Sequence, residues 1–275
     1  MSHLPHKENM NIFFRELKSH RNSLIFWSIG MIALIGASMA KYAAYASTGQ
    51  SMGELIDQFP KMMQTIFGIS GFDLSKASGF FGVIFMYVAL MATIHAILLG
   101  SDVISKEERD RTSEFLFVKP LSRSYAVTSK LLSGLVNLII INIVTLVSSI
   151  YFTAIVNKTG EPVNKDIMIL MAGLFFLQLI FFTIGSAIAG ISRKPKSAPG
   201  AATTTLLVTF FIYFIVNLND KLDILKYLTP FKYFDARNLL ADGKLDPLYI
   251  TLSSAIIVVM LISTYVFYNK RDLNV

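Results

Sequence analysis

Few side chains in this sequence are of types that do chemistry, and their spacing limits what they can do. The 275 residues contain 0 Cys, which removes disulfides, thiolate metal sites and cysteine nucleophiles together. His3, His6 and His20 are too scattered to form a ligand set, and His95 stands alone in an apolar run. Glu107-Glu108, close to Arg111, is the carboxylate pair that invites an enzyme reading, namely metal-dependent peptide hydrolysis inside a membrane. That chemistry needs carboxylates and His at membrane depth, whereas this pair lies in a strongly charged stretch. Lys196-Ser197 resembles the end of a phosphate-binding loop, but Pro195 stands where G-x-x-x-x-G-K-S/T requires Gly. No catalytic residue, metal set or nucleotide loop is assigned, and the chain reads as a non-enzyme.

The elements that would hold these groups are apolar. Hydrophobic residues make up 53% and charged residues 16%, against roughly 25% charged in a soluble domain; the mean hydropathy is +0.56. A spanning helix needs about 20 apolar residues, and six stretches without Asp, Glu, Lys or Arg are that long: 22–40, 77–101, 131–157, 167–192, 197–219 and 247–269. A charge at a helix centre costs about 2.5–3.5 kcal/mol on insertion scales, so six such gaps mark six spans. We place them at about 23–40, 79–101, 129–156, 167–192, 198–218 and 247–268, within one transmembrane domain, 23–269. The first run is too long for a signal-peptide core and has 21 residues before it. Whether Met1 or Met10 is the natural start stays open.

Loop charge sets the orientation. With the N-terminus inside, the inner segments hold 15 basic and 8 acidic residues, and the outer loops hold 10 of each. The net charge of +7 is thus confined to one side, giving N-in and C-in termini with a cytoplasmic tail at 270–275. Cations that adjoin span ends follow the positive-inside pattern, which argues against nucleic-acid binding.

Residues 1–22 are basic, with Ile12, Phe13, Phe14 and Leu17 interleaved among Arg15, Lys18 and Arg21. That spacing predicts an amphipathic helix in the inner interface, its cations towards lipid headgroups; a disordered basic leader is the competing reading. The first outer loop carries Met52, Leu55, Ile56, Phe59, Met62, Met63, Ile66 and Phe67 at helical spacing, with Pro60 set to kink or split the helix. Short connections at 158–166 and 193–196 make spans 3, 4 and 5 antiparallel neighbours. Gly185, Ala189 and Gly190 form a small-residue stripe that permits close helix approach. Inside the spans the polar groups are His95, Asn137, Asn142 and Gln178; they either bond between helices or line a pathway.

The stretch after span 2 reads from Ser105 to Arg123 and differs from the other loops. Ser105 and Glu108 have capping-box spacing and Pro120 is a stop, which predicts a short helix over about 105–118, charged first and apolar after. Physics alone allows either a solvated loop or a helix that offers its charged end to a cytoplasmic protein.

This stretch resembles the signature of the ABC-2 type permeases, the membrane subunits of a class of ATP-driven exporters. The matching residues are Glu108, Thr112, Glu114, Leu116, Pro120, Leu121, Ser122, Arg123 and Lys130, with Arg111 where the family has Gly. Phe59-Pro60 followed by Phe67-Gly68, the run Leu228 to Phe231 with Tyr233, and the closing Arg271-Asp272-Leu273 extend the resemblance over the chain. The resemblance implies an all-α polytopic protein in a bacterial plasma membrane that pairs with a second permease, identical in the commoner symmetric arrangement. It implies an ABC ATPase subunit on each permease, carrying the ATP and Mg, with no cofactor on this chain. The helix after span 2 would be the coupling helix, contacting the ATPase through Glu107, Glu108, Arg109, Asp110, Arg111, Thr112, Glu114, Phe115, Leu116, Pro120 and Arg123. The N-terminal segment would be the connecting helix, with Phe13, Phe14, Arg15, Lys18 and Arg21 at the lipid interface.

The absence of carboxylates from the spans argues against an ion-coupled carrier or channel, the alternative class. It favours an amphipathic or hydrophobic cargo, such as an antimicrobial or toxin peptide or a drug, over a polyanionic polymer.

Overall fold

The computed structural model describes residues 5–47, 59–110, 122–157, 160 and 162–270. These form helices α1 (Pro5–Ser47), α2 (Lys61–Ile66), α3 (Ala77–Arg109), α4 (Arg123–Val156), α5 (Val163–Ile191), α6 (Ala198–Leu218), α7 (Pro230–Tyr233), α8 (Ala236–Asp242) and α9 (Pro247–Lys270), with 3-10 turns at Pro195–Ser197 and Asp220–Leu228. The protein is all-helical, and α1, α3, α4, α5, α6 and α9 are each long and apolar enough to cross a membrane.

Two helices extend well past the charge-free runs. The N-terminal segment and the first span are one helix, Pro5–Ser47, rather than an interfacial helix followed by a span. The reason is local: no Gly or Pro occurs between Pro5 and Gly30, so nothing breaks the hydrogen-bond ladder where the sequence turns from charged to apolar. Ile12, Glu16 and His20, four residues apart, are buried, while Phe14, Arg15, Lys18 and Arg21 are exposed.

At the centre of the bundle, α3 packs along α5. Between helices in lipid there is no water to expel, so association rests on close packing and interhelical hydrogen bonds. A side chain at Gly100 would put its Cβ 2.0 Å from the Phe182 carbonyl oxygen, and one at Gly185 would lie 2.3 Å from that of Ile97. The two backbones therefore touch, and Ser186 Oγ donates to the Gly100 carbonyl at 3.1 Å. Gly190, in the same small-residue stripe, faces the backbone of Thr264 on α9. The stripe thus serves two partners.

Around this pair, α1 lies chiefly along α4, α9 against α5, and α6 against both α3 and α5. The sequential contacts between α4, α5 and α6 are present, but the closest pairings join helices that are not neighbours in the chain. Tyr42 fixes the far end of α1: its hydroxyl donates to the Ser75 carbonyl at 2.9 Å, and its ring lies 5.1 Å from that of Phe80.

In the first long loop, α2 follows Pro60, with Met62, Met63, Ile66 and Phe67 exposed; residues 48–58, which carry the rest of the predicted stripe, lie outside the described residues. Before α3, Asp73 accepts hydrogen bonds from the hydroxyl and amide of Ser75, and the hydroxyl bond chiefly holds its carboxyl below the usual range. In the loop between α6 and α9, Phe231, Tyr233 and Phe234 are buried, with Phe231 5.1 Å from Phe181 and Phe234 stacked 5.7 Å from Phe176 of α5. Asp235 caps α8 by accepting from the Arg237 amide at 2.9 Å, and Gly243, at φ +62°, ends it.

Candidate functional site

The stretch after the second span is where the sequence concentrates its functional residues. Arg111, Thr112, Glu114, Phe115, Leu116 and Pro120 lie outside the described residues. Glu107, Glu108, Arg109 and Asp110 lead into that stretch, and Arg123 follows it. The predicted capping box at Ser105 and Glu108 is not a helix start. Helix α3 continues to Arg109, and Ser105 sits in its interior with its hydroxyl bonded back to the Ser101 carbonyl at 2.8 Å. A mid-helix Ser satisfies itself this way when the preceding turn is already helical. The helix ends at Asp110, whose amide donates to the Lys106 carbonyl at 2.9 Å.

The leading flank is tied to α1 and α4 by ionic contacts. Glu107 is 8% exposed and pairs with the ammonium of Lys130, which is 0% exposed inside α4. Its other oxygen stands 3.5 Å from Arg15 of α1. Glu16, 2% exposed, meets Arg15 at 3.2 Å, His20 at 3.7 Å and Lys106 at 4.0 Å. Lys106 also donates to the Ser19 hydroxyl, and Arg109 pairs with Asp102 about two turns earlier on its own helix and with Asp110. Acids and bases from three helices therefore interleave. Desolvation costs several kcal/mol per buried ion, which the contacts offset only while every partner is present. The inward orientation of Glu107 makes it a tie within the bundle rather than a group offered outward.

The trailing flank is tied to α9. Ser122 caps α4 by accepting from the Tyr125 amide at 3.3 Å. Arg123 donates to the Asn269 carbonyl at 3.2 Å, the Asn269 amide group donates to Ser124 Oγ at 2.9 Å, and the hydroxyls of Thr128 and Tyr265 are 2.8 Å apart. Residues 111–121 thus join two helix ends that are each clamped to a terminal helix of the chain.

The polar residues within the spans have separate surroundings. Asn142 of α4 donates to the Met171 carbonyl and to Gln178 Oε1, both of α5 and both at 3.2 Å. Asn137 donates to the Ser133 carbonyl of its own helix at 2.8 Å. His95 is buried on α3, with its ring 5.5 Å from that of Trp27 on α1. Among the described residues no group of three His, Asp or Glu is placed to hold a metal.

Sequence reasoning missed the inward roles of Glu16, His20 and Lys130 and the contacts of the exposed Ser124 and Thr128 with α9. For Lys130 a signal exists: Ala126, Val127, Lys130, Ser133, Gly134 and Asn137 recur at spacings of three and four, so the lysine belongs to the face that α4 buries.

Six helices long and apolar enough to span, with ionic and hydrogen-bonded clamps on the two helix ends that flank residues 111–121, define a multi-pass membrane protein. The family described as ABC-2 family transporter protein matches residues 10–273, and the chain belongs to it. It is accordingly a membrane-embedded transporter component, a permease subunit of the ABC type rather than an enzyme. No curated protein matches the sequence.

Proposed function

We propose that this chain is the permease of an ATP-driven exporter, moving an amphipathic or hydrophobic cargo, with peptides and drugs as the leading class, out of a bacterial cell. Two copies pair, and a cytoplasmic ATPase holding ATP and Mg docks on each through Glu108 to Glu114. The observation that supports this reading most is the pair of clamps around residues 111–121. A displacement of that segment by a docked ATPase is passed through Glu107 and Lys130 to α3 and α4, through Arg15 to α1, and through Asn269 to α9. Four of the six spans then respond to one contact, which is what a permease needs to turn ATPase closure into an opening path. No carboxylate lies in the charge-free runs, which suits a cargo pushed by an outside motor rather than an ion gradient.

Co-purification tests the docking. An ATPase encoded beside this gene should be retained by the wild-type permease and lost on Glu108→Lys and on Glu114→Lys, with membrane insertion unchanged. Retention by both variants would remove the ATPase from this segment.

Topology is exposed to a separate measurement, made simple by the lack of native Cys. A cysteine placed at Lys221 should react with an impermeant maleimide in intact cells, and one at Lys196 should react only after lysis. The reverse pattern would place the clamped segment on the wrong side for an ATPase.

A further inference from the structure

A cleft of about 410 Å³ opens between α1, α3 and the first turn of α6, and it shares His20, Asp102, Lys106 and Arg109 with the ionic cluster. Its inner wall is apolar and aromatic, formed by Trp27, Leu98 and Leu99, with Pro199 on the third side. Its rim carries Lys106 and Arg109, with His20 and Asp102 between them. That volume and that division into an apolar body with a few convergent polar groups are those of small-molecule sites.

The rim is positive. Among the described lining residues Asp102 is the one carboxylate; it pairs with Arg109, which also meets Asp110 at 3.1 Å. Lys106 donates to the neutral hydroxyl of Ser19 and shares Glu16, at 4.0 Å, with Arg15 and His20. The turn Pro195–Ser197 packs against α3 just before Pro199; Lys194 precedes it and Lys196 lies in it, and both are exposed. Deeper in, His95 is 2% exposed, and its Nδ1 has no hydrogen-bond partner among the described residues. A buried, unsatisfied nitrogen is costly, and this one belongs to a residue of the cleft wall.

We propose that this cleft binds an anionic amphiphile, with a phosphate-type head on Lys106 and Arg109 and an alkyl chain along Trp27, Leu98 and Leu99. A cationic head would meet Lys106, Arg109 and the basic turn, and a free inorganic anion would leave the apolar wall unfilled. The inference stands on the cleft alone and does not require the ATPase.

Trp27 is the single Trp of the chain and forms part of the wall, so its emission reports on the site directly. The full-length permease in phosphatidylcholine nanodiscs is titrated with dodecyl phosphate, dodecyltrimethylammonium and inorganic phosphate. Dodecyl phosphate should shift Trp27 emission saturably, at least tenfold more tightly than the ammonium amphiphile, and inorganic phosphate should have no effect. Lys106→Gln should weaken the response at least fivefold. If that variant misfolds, Lys194→Gln with Lys196→Gln on the exposed turn should still weaken it about twofold. Nanodiscs containing phosphatidylglycerol separate the two sources of such a head. Abolition of the dodecyl phosphate response identifies a bilayer phospholipid as the occupant, and its persistence identifies a single-chain ligand; both support the site. Equal affinity for the two charged amphiphiles, or a response unchanged in a folded Lys106→Gln protein, overturns it. Loss of ATPase co-purification would leave this result untouched, so the two readings fail separately.

Discussion

Lys130→Met should destabilise the protein by about 3–5 kcal/mol, because it strands the Glu107 carboxylate in a buried position with its closest cation removed. Arg15, at 3.5 Å and half exposed, replaces only part of the lost contact. Glu107→Gln should cost a similar amount, about 3–5 kcal/mol, since the amide can still accept a hydrogen bond but the fully buried ammonium loses its counter-charge. The double replacement Glu107→Leu with Lys130→Met should recover most of the stability, because two apolar groups carry no desolvation penalty. Transport should not recover with it: the pair is what fixes the end of α3 to α4 beside residues 111–121. Denaturant unfolding in detergent measures the stabilities, and ATP-dependent efflux in reconstituted vesicles measures coupling. A double variant that is both stable and fully active would show that the pair is only packing.

The second large effect belongs to the helix crossing at the centre of the bundle. Gly100→Leu should prevent accumulation of folded protein, and even Gly100→Ala should cost about 3 kcal/mol or more. The obstacle is backbone: an added Cβ would sit 2.0 Å from the Phe182 carbonyl oxygen, which cannot rotate aside as a side chain does. Gly185→Ala should behave alike, at 2.3 Å from Ile97 O, whereas Gly200→Ala, which meets nothing within 4 Å, should be neutral or slightly stabilising. Expression and thermal melting of the four variants test this directly. Equal melting of Gly100→Ala and Gly200→Ala would refute the crossing.

The six spans were legible because hydrocarbon excludes charge, and a run of uncharged residues leaves a mark that needs no partner to be seen. Where helices end was less legible. Apolar content stops at about residue 101, but α3 runs on to Arg109 because Lys, Glu and Arg are good helix formers once a ladder exists. Ser105 and Glu108 illustrate the limit of a local signature: the same four residues spell a helix start in isolation and a helix interior when a turn precedes them. The pairing of α3 with α5 was not readable, since the stripe at Gly185, Ala189 and Gly190 shows that some helix approaches but not which. Likewise Lys130 counted as a charge at a span end, and only its partner on α3 reveals it as half of a buried pair.

Helix α1 is 43 residues long, about 64 Å at 1.5 Å per residue, roughly twice the thickness of the hydrocarbon it crosses. It is held at one end by Glu16 and Arg15, and at the other by Tyr42 on Ser75 and Phe80. Such an element behaves as a driveshaft. With no break in the helix between its two bearings, a twist delivered at the charged end would be carried to Tyr42 and so to the loop that leads into α3.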